Sequence, residues 1–420
     1  VSATRTATRR AGAVRDFVEA RDDVPFIALS VFMSMNPALV PQLALNAAVG
    51  LWLVVRMVRA GTARRYDFHV FFPWLVVLLI LASTLWASNF AESAQGALSF
   101  LIYTVLAVHI VSSMSVERAI RGLSAGFKVI LAASIATIAV SPSTAFVTAI
   151  YQSGSFQGLA SHRNYMGYLA TLASLFFIYE WLSRTRKRLL DVLWIVVAIG
   201  VVVMTRSVTS LALTVLACVT LLCALALLRS TSRLRGFTAF SLITTAGAAA
   251  VIAFVNFGDV ADGLGRDATL TGRTGIWEAV LAYVAREPFF GYGWDSVWAV
   301  GDAVGDGVRG RIGFSISHAH SGFLNDALQI GWIGAGLVLL SVVVGVTTLS
   351  RESLRTRSQT LLLGLVIVMT IVSFNMVETR LTLNTGWMLF VLFYAYASRS
   401  LRAAIATRRG GRFADVPLNT

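Results

Sequence analysis

Lysine is almost missing from this chain of 420 residues. Of 35 basic residues only Lys128 and Lys187 are lysine, and the rest are arginine. Charge as a whole is scarce, at 13% of residues, against about 25% in ordinary soluble domains. That shortage excludes a soluble globular protein. Only two cysteines occur, Cys218 and Cys223, five apart in one apolar run, so there is no disulfide framework and no zinc-ligand pattern. Short alternating strands are lacking too, which excludes an outer-membrane barrel. No internal repeat, heptad pattern or low-complexity segment is visible. Residues 1–23 have no apolar core and read as a cytoplasmic tail, not a cleavable signal peptide.

What is present is apolar length. The chain is 56% hydrophobic with a mean hydropathy of +0.73. Its apolar runs last about 18–25 residues, enough to cross ~30 Å of hydrocarbon as helix. The expected fold is all-α: a polytopic membrane protein with about 12 transmembrane helices and one long external loop carrying short amphipathic helices. The spans expected are 24–36, 38–57, 69–87, 93–114, 123–140, 162–182, 189–204, 207–228, 237–257, 322–349, 359–376 and 383–400. The first two are short and flank Pro37 and Pro41, so 24–57 reads either as two spans or as a re-entrant hairpin. The transmembrane domain is then 24–400, with the external loop at 258–321 and a C-terminal tail at 401–420.

The net charge of +14 would suit a nucleic-acid partner, but its distribution argues otherwise. Arginine fills every second loop, with Arg56, Arg59, Arg64 and Arg65 in the first, and Arg184, Arg186, Lys187 and Arg188 in the third. Basic residues favour the cytoplasmic side of a bilayer protein. The pattern therefore sets a topology with both termini inside, and the implied partner is the lipid bilayer rather than nucleic acid. Eight arginines break the rule: Arg163, Arg206, Arg266, Arg273, Arg286, Arg309, Arg311 and Arg380. Five of them lie in the loop 258–321, which also carries His318 and His320. Misplaced positive charge beside two imidazoles suggests an external site for an anionic ligand, with a proton acceptor at hand.

Within that loop 274–286 reads as an amphipathic helix. Ile276, Val280, Tyr283 and Val284 share a face, Thr274 caps it and Pro288 lies beyond its end. Arg273 falls at its N-terminus, where backbone N–H groups also favour anions. Its bland alternative is a pair with Glu278 or a loop aspartate. Gly291-Tyr292-Gly293-Trp294 reads as a tight turn, and the Gly/Asp-rich stretch up to Gly313 as flexible. Arg206 stands between two apolar runs with almost no loop around it, and a charge so close to the membrane needs a partner or a ligand. His318-Ala319-His320 precedes the tenth span, followed by Asn325 and Asp326. An i,i+2 pair does not share a helix face, which excludes HExxH-type zinc chemistry. A metal reading would need both histidines with Asp326, Asp302 or Asp306. A general-base reading needs only one imidazole near neutrality. His162-Arg163-Asn164 opens the sixth span, where helix capping is the plain account. Glu378 and Arg380 share a short loop, where a mutual ion pair is the plain account.

Four motifs in order give a resemblance. They are Thr271-Gly272-Arg273-Thr274-Gly275-Ile276-Trp277, Pro288-Phe289-Phe290-Gly291-Tyr292-Gly293, His318-Ala319-His320-Ser321-Gly322-Phe323-Leu324 and Gly331-Trp332-Ile333-Gly334. Together with Gly158 to Gly167 they resemble the O-antigen ligase / O-antigen polymerase superfamily, over about residues 155–385. The resemblance implies a bacterial cytoplasmic-membrane glycosyltransferase that uses glycans on polyprenyl pyrophosphate, without cofactor or metal. It implies that Arg206 and Arg273 hold the pyrophosphate and that a loop histidine, His320 or His318, acts on the acceptor hydroxyl. His162, Arg163, Asn164, Arg266, Glu378 and Arg380 are further substrate-binding candidates. Where the family has His-Asn this chain has His320-Ser321, so both histidines stay in play.

The expected function is thus transfer or polymerisation of a saccharide, from a polyprenyl-pyrophosphate-linked donor to the hydroxyl of a glycan or glycolipid acceptor, at the outer face of the membrane. The energy resides in the donor's activated bond, and in-line displacement inverts the anomeric centre. The competing class is a transporter or flippase. It fits twelve spans, but it calls for mid-membrane charge and repeated halves, which the chain does not display.

Overall fold

The computed structural model describes residues 24–35, 41–60, 69–148, 153–229 and 273–414. Among these the chain is all-helical; the only extended pairing is a single antiparallel bridge, Phe146 to Phe156. The helices are α1 (Val24–Ser34), α2 (Gln42–Ala60), α3 (Phe71–Ser83), α4 (Phe90–Ser113), α5 (Val116–Val140), α6 (Pro142–Ala145), α7 (Arg163–Ser183), α8 (Leu189–Met204), α9 (Val208–Arg229), α10 (Arg273–Val284), α11 (Ala303–Ile312), α12 (Gly322–Thr356), α13 (Gln359–Val377) and α14 (Asn384–Ala414). By length and composition α4, α5, α9, α12, α13 and α14 can each cross a membrane. This is a polytopic membrane protein. The expected span 237–257 lies outside the described residues, and the expected span 69–87 contains a helix of only 13 residues, about 20 Å long at 1.5 Å per residue.

The chain divides into two compact units. One comprises Val1–Gly61 and Ser113–Thr214, the other Thr62–Ser112 and Val215–Thr420. In the first, α5 packs on α6, α7 and α8, and α7 on α8. Its core includes Phe127 stacked on Phe176 at 5.3 Å, alongside buried polar side chains such as Arg163, Thr171 and Ser210.

In the second unit α12 packs on α3, α10, α13 and α14. With 35 residues α12 is too long for one hydrocarbon crossing, and it is broken at Ile330 and Gly331 (φ 68°, ψ 179°). Only glycine fits at 331: the backbone is left-handed, and a Cβ there would run into the Phe289 carbonyl. The backbone groups freed by the break are taken up by the segment 288–293. Trp332 N–H donates to the Pro288 carbonyl at 2.8 Å and Ile333 N–H to that of Phe289 at 3.4 Å; in return Tyr292 N–H donates to Leu328 at 3.1 Å and Gly293 N–H to Gln329 at 2.9 Å.

A small apolar core gathers around this junction, with Ile276, Val280 and Val284 of α10, Val308 of α11, and Ala327 and Leu328 of α12. The amphipathic face expected on α10 is thus buried, while Leu281 is exposed. Thr274 lies inside α10 and does not precede it, since the helix starts at Arg273. The Gly/Asp-rich stretch expected to be flexible contains α11. Asp302 caps it by accepting from Val304 and Gly305 N–H at 2.9 and 3.0 Å, and left-handed Gly313 ends it. The cap and stop signals outweigh the poor helix propensity of its glycines.

Candidate functional site

The loop between α13 and α14 carries Glu378, and this carboxylate is where the predicted residues of the second unit meet. Arg273 Nη2 lies 3.2 Å from Oε1 and Arg380 Nη2 3.4 Å from Oε2. His320 Nδ1 lies 3.3 Å from Oε1 and His318 Nε2 3.3 Å from Oε2. Glu378 is 2% exposed. The expected Glu378–Arg380 pair is therefore present but is half of a larger arrangement, and the partner of Arg273 is Glu378, not Glu278.

Each member is fixed by its own local structure. Arg273 opens α10, and the helix is tied to the histidine loop by Trp277 Nε1, which donates to the Ala319 carbonyl at 3.1 Å. Asn325 Oδ1 accepts from Ala319 N–H at 3.2 Å and from Trp298 Nε1 at 2.8 Å. The Glu378 loop is held from below: Asn375 Oδ1 accepts from both Arg380 and Leu381 N–H at 2.9 Å, and Thr382 Oγ1 donates to Asp326 Oδ1 at 2.9 Å. Gly322 is required beside this loop because a Cβ would overlap the Asn375 amide. His320 adopts a left-handed backbone (φ 49°), a conformation that costs energy outside glycine and collects at functional sites. That turn swings two i,i+2 imidazoles together, so that the rings of His318 and His320 meet edge to face at 4.2 Å.

The hydrogen bonds assign the tautomers. His318 Nδ1 accepts from His320 N–H at 3.4 Å, so its proton is on Nε2, facing the carboxylate. Both nitrogens of His318 are engaged. His320 turns Nδ1 to Glu378, which places a proton there and leaves Nε2 with its lone pair. Burial pushes the His320 imidazole below its ordinary value of 6.5; the hydrogen bond to Glu378 opposes this, and neighbouring His318 and Arg273 add to it. Burial alone would raise the Glu378 carboxyl, but hydrogen bonds from His318 and His320 and the Arg380 charge hold it well below the usual range. One ionised acid thus stands against two guanidiniums.

The ligand atoms of His318, His320 and Glu378 lie within 4.8 Å of one another, a spacing that could hold a cation. The acids expected in such a site are not there. Asp302 caps α11, Asp306 pairs with Arg309 at 2.7 Å and Asp326 binds Thr382. Both oxygens of Glu378 face guanidiniums, so a cation would have to compete with two resident positive charges.

The other outer arginines divide. Arg309 is spent on the carbonyls of Ile316 and Trp298 as well as Asp306. Arg286 and Arg311 lie over the Tyr283 ring at 4.7 and 5.3 Å. Arg266 lies outside the described residues. In the first unit His162 caps α7 by accepting from Asn164 N–H at 3.2 Å. Buried Arg163 donates through Nη1 to Ser155 Oγ at 3.3 Å and to the Arg206 carbonyl at 3.2 Å. Arg206 is exposed, left-handed (φ 50°), and donates to the Ser153 carbonyl at 3.3 Å. Sequence reasoning missed Asn375, which carries no charge and no motif, and gave Glu378 one partner where it has four.

Comparison with known proteins follows the same lines. A family described as O-Antigen ligase matches residues 193–339. The exopolysaccharide production protein ExoQ of Rhizobium meliloti (strain 1021) is 26% identical over 337 residues, covering 76% of this chain and 73% of that protein. The likeness to the O-antigen ligase / polymerase superfamily that the four motifs carry is thereby shown.

Proposed function

Proceeding from a chain of O-antigen ligase type, we propose that it moves a saccharide from a polyprenyl-pyrophosphate-linked donor to a hydroxyl of a glycan or glycolipid acceptor, at the outer face of the bacterial cytoplasmic membrane. The observation that carries this reading is the Glu378 cluster: one imidazole nitrogen free to accept a proton, beside two guanidiniums sharing a single carboxylate.

Each residue then has a step. His320 Nε2 takes the proton of the acceptor hydroxyl as its oxygen attacks the anomeric carbon. The bond from that carbon to the pyrophosphate oxygen breaks, and the electron pair leaves on polyprenyl pyrophosphate. Arg273 and Arg380 supply positive charge for the leaving group, and Arg206 is carried over as a second pyrophosphate arginine from the resemblance alone. Glu378 keeps Nδ1 of His320 protonated and so directs the lone pair of Nε2 outward, while His318 buttresses the ring of His320. The displacement inverts the anomeric configuration, and no metal takes part. The loop 258–321 is external and both termini are cytoplasmic, as the arginine distribution directs.

The test is transfer by the purified full chain in lipid nanodiscs, given a polyprenyl-pyrophosphate oligosaccharide and a hydroxyl acceptor. We expect one polyprenyl pyrophosphate released per new glycosidic bond, with inverted configuration by NMR. Passage of the intact lipid-linked donor across a bilayer, with no bond made, would instead establish the flippase class.

A further inference from the structure

We propose that the tip of the segment 288–293, Phe289 and Phe290, is inserted among the acyl chains of the bilayer leaflet into which the α10 end of α12 opens, and that it fixes the height of the Glu378 cluster above the hydrocarbon.

The segment lies outside every helix able to cross a membrane, yet its tip is bare. Phe289 is 65% and Phe290 52% exposed. They are not isolated. The Phe290 ring packs edge to face on Trp86 at 5.9 Å, and beside Trp86 is Leu85, 82% exposed. The backbone bonds from Trp332 and Ile333 to Pro288 and Phe289 set two more exposed apolar side chains, those of Trp332 and Ile333, next to the tip. These six residues form one continuous patch, and patches of that kind mark a partner or a membrane.

Three observations choose the bilayer. Past Gly331 the patch continues into the exposed Leu339, Leu340 and Val343 of α12, the surface of a helix that crosses the membrane by length and composition. Before the break none of residues 322–331 is exposed, and Asn325, Asp326 and Gln329 are buried among them, so α12 offers lipid no apolar face there. The side-chain types change at the same level, from exposed Arg286 and Glu287 to the two phenylalanines and the tryptophans, the order of headgroup, interface and acyl region. The cost of entry is lowered because the amides of Gly291, Tyr292, Gly293, Trp332 and Ile333 are already paired locally or between the segment and α12.

The test needs no enzymatic turnover, so it is separate from the proposed reaction. In a background with Cys218 and Cys223 replaced, Phe290→Cys and, as an independent variant, Phe289→Cys are labelled with an environment-sensitive fluorophore in nanodiscs. Val300→Cys, on a side chain that is wholly exposed in a loop, is the aqueous control. We expect labels at 289 and 290 to be quenched by lipids spin-labelled near the headgroup and shielded from iodide at least severalfold relative to 300. Iodide quenching equal to that at 300 would overturn the insertion, as would shielding without lipid quenching, which would point to a protein partner on the patch.

Discussion

Two arginines given the same task by the sequence are held in opposite ways. Arg206, in the first unit, is exposed on a left-handed backbone and donates to a backbone carbonyl, with Arg163 braced against its own carbonyl oxygen. Arg273, in the second, is buried and leans on a carboxylate that also serves Arg380 and two histidines. A carboxylate makes burial tolerable but shares the charge, and it couples the arginine to everything else that the acid touches. The exposed arginine is open to a ligand from solvent; the buried one ties charge, tautomer and fold into one unit. Losing Arg206 should therefore cost binding alone, whereas any change in the Glu378 cluster should cost both chemistry and stability.

The sharpest way to break that contrast is Glu378→Gln. It removes the carboxylate shared by two buried guanidiniums, the cluster's one negative charge among the described residues. Uncompensated buried charge of this kind costs about 3–5 kcal/mol, read as a lower unfolding midpoint. Transfer should fall by three orders of magnitude or more, on the scale of a lost general base. A variant as stable and active as the wild type would remove the acid from the centre of the site. Next comes the histidine pair. His320→Ala should lower kcat by about 10²–10⁴-fold. His318→Ala should lower it only roughly tenfold, as for one orienting hydrogen bond, because neither of its nitrogens is free to act. Reversal of that order in a single-turnover assay would overturn the tautomer assignment.

The two arginines themselves give a smaller and cleaner contrast. Arg206→Ala and Arg273→Ala should both raise the KM for the lipid-linked donor. Only Arg273→Ala should shift thermal unfolding; an exposed site such as Arg206 stays within about 0.5 kcal/mol. Lysine should rescue neither fully, since a point charge lacks the bidentate fork. Equal melting shifts would erase the distinction between the two arrangements. Smaller again is the pH effect. The neutral imidazole is the reacting form, and burial pulls His320 below 6.5. Activity should therefore rise with pH to a plateau, with its acid limb below 6.5, and Glu378→Gln should carry that limb lower still by removing the interaction that opposes the shift. A limb above 6.5 in the wild type would contradict the buried His320. Chelation should have the least effect, none within error; inactivation by EDTA restored by one divalent cation would turn the His318, His320 and Glu378 triad into a metal site.

Much of this architecture was legible in the residues. Apolar run lengths placed the long helices, and the tripeptide His318-Ala319-His320 with Arg273 picked out residues that meet at Glu378. Periodicity found α10 almost to its ends. What escaped has physical reasons. The coupling of Arg273 to Glu378 spans 105 positions, and one acid near one arginine in sequence already had an adequate local explanation. The left-handed turn at His320 is invisible because any residue type can be forced into it by its surroundings, and only that turn allows the two imidazoles to meet. The helix α11 hid behind three glycines and an aspartate, although its cap and stop residues, Asp302 and Gly313, were in plain view. The break in α12 was masked by the apolar pattern running through it; Gly331 was seen as a motif residue, not as a cut.

That cut has a kinetic consequence. The amides of Tyr292, Gly293, Trp332 and Ile333 form a closed exchange of donors and acceptors between a loop and a helix, so none can open without orphaning its counterpart next to the membrane. Loops ordinarily exchange their amide protons quickly with solvent. Here the loop should behave as part of the helix, with Tyr292 and Gly293 retaining their protons about as long as the interior of α12. Protection would then reach outward from the bundle along 288–293 and on through Trp294 and Asp295, whose amides donate to Ser83 and Gln329. A peptide that covers this segment should look slow in hydrogen–deuterium exchange, while its neighbour around Val300 looks fast. The bent helix is thus an anchorage rather than a hinge, and motion in this half of the molecule is displaced to the stretches on either side of it.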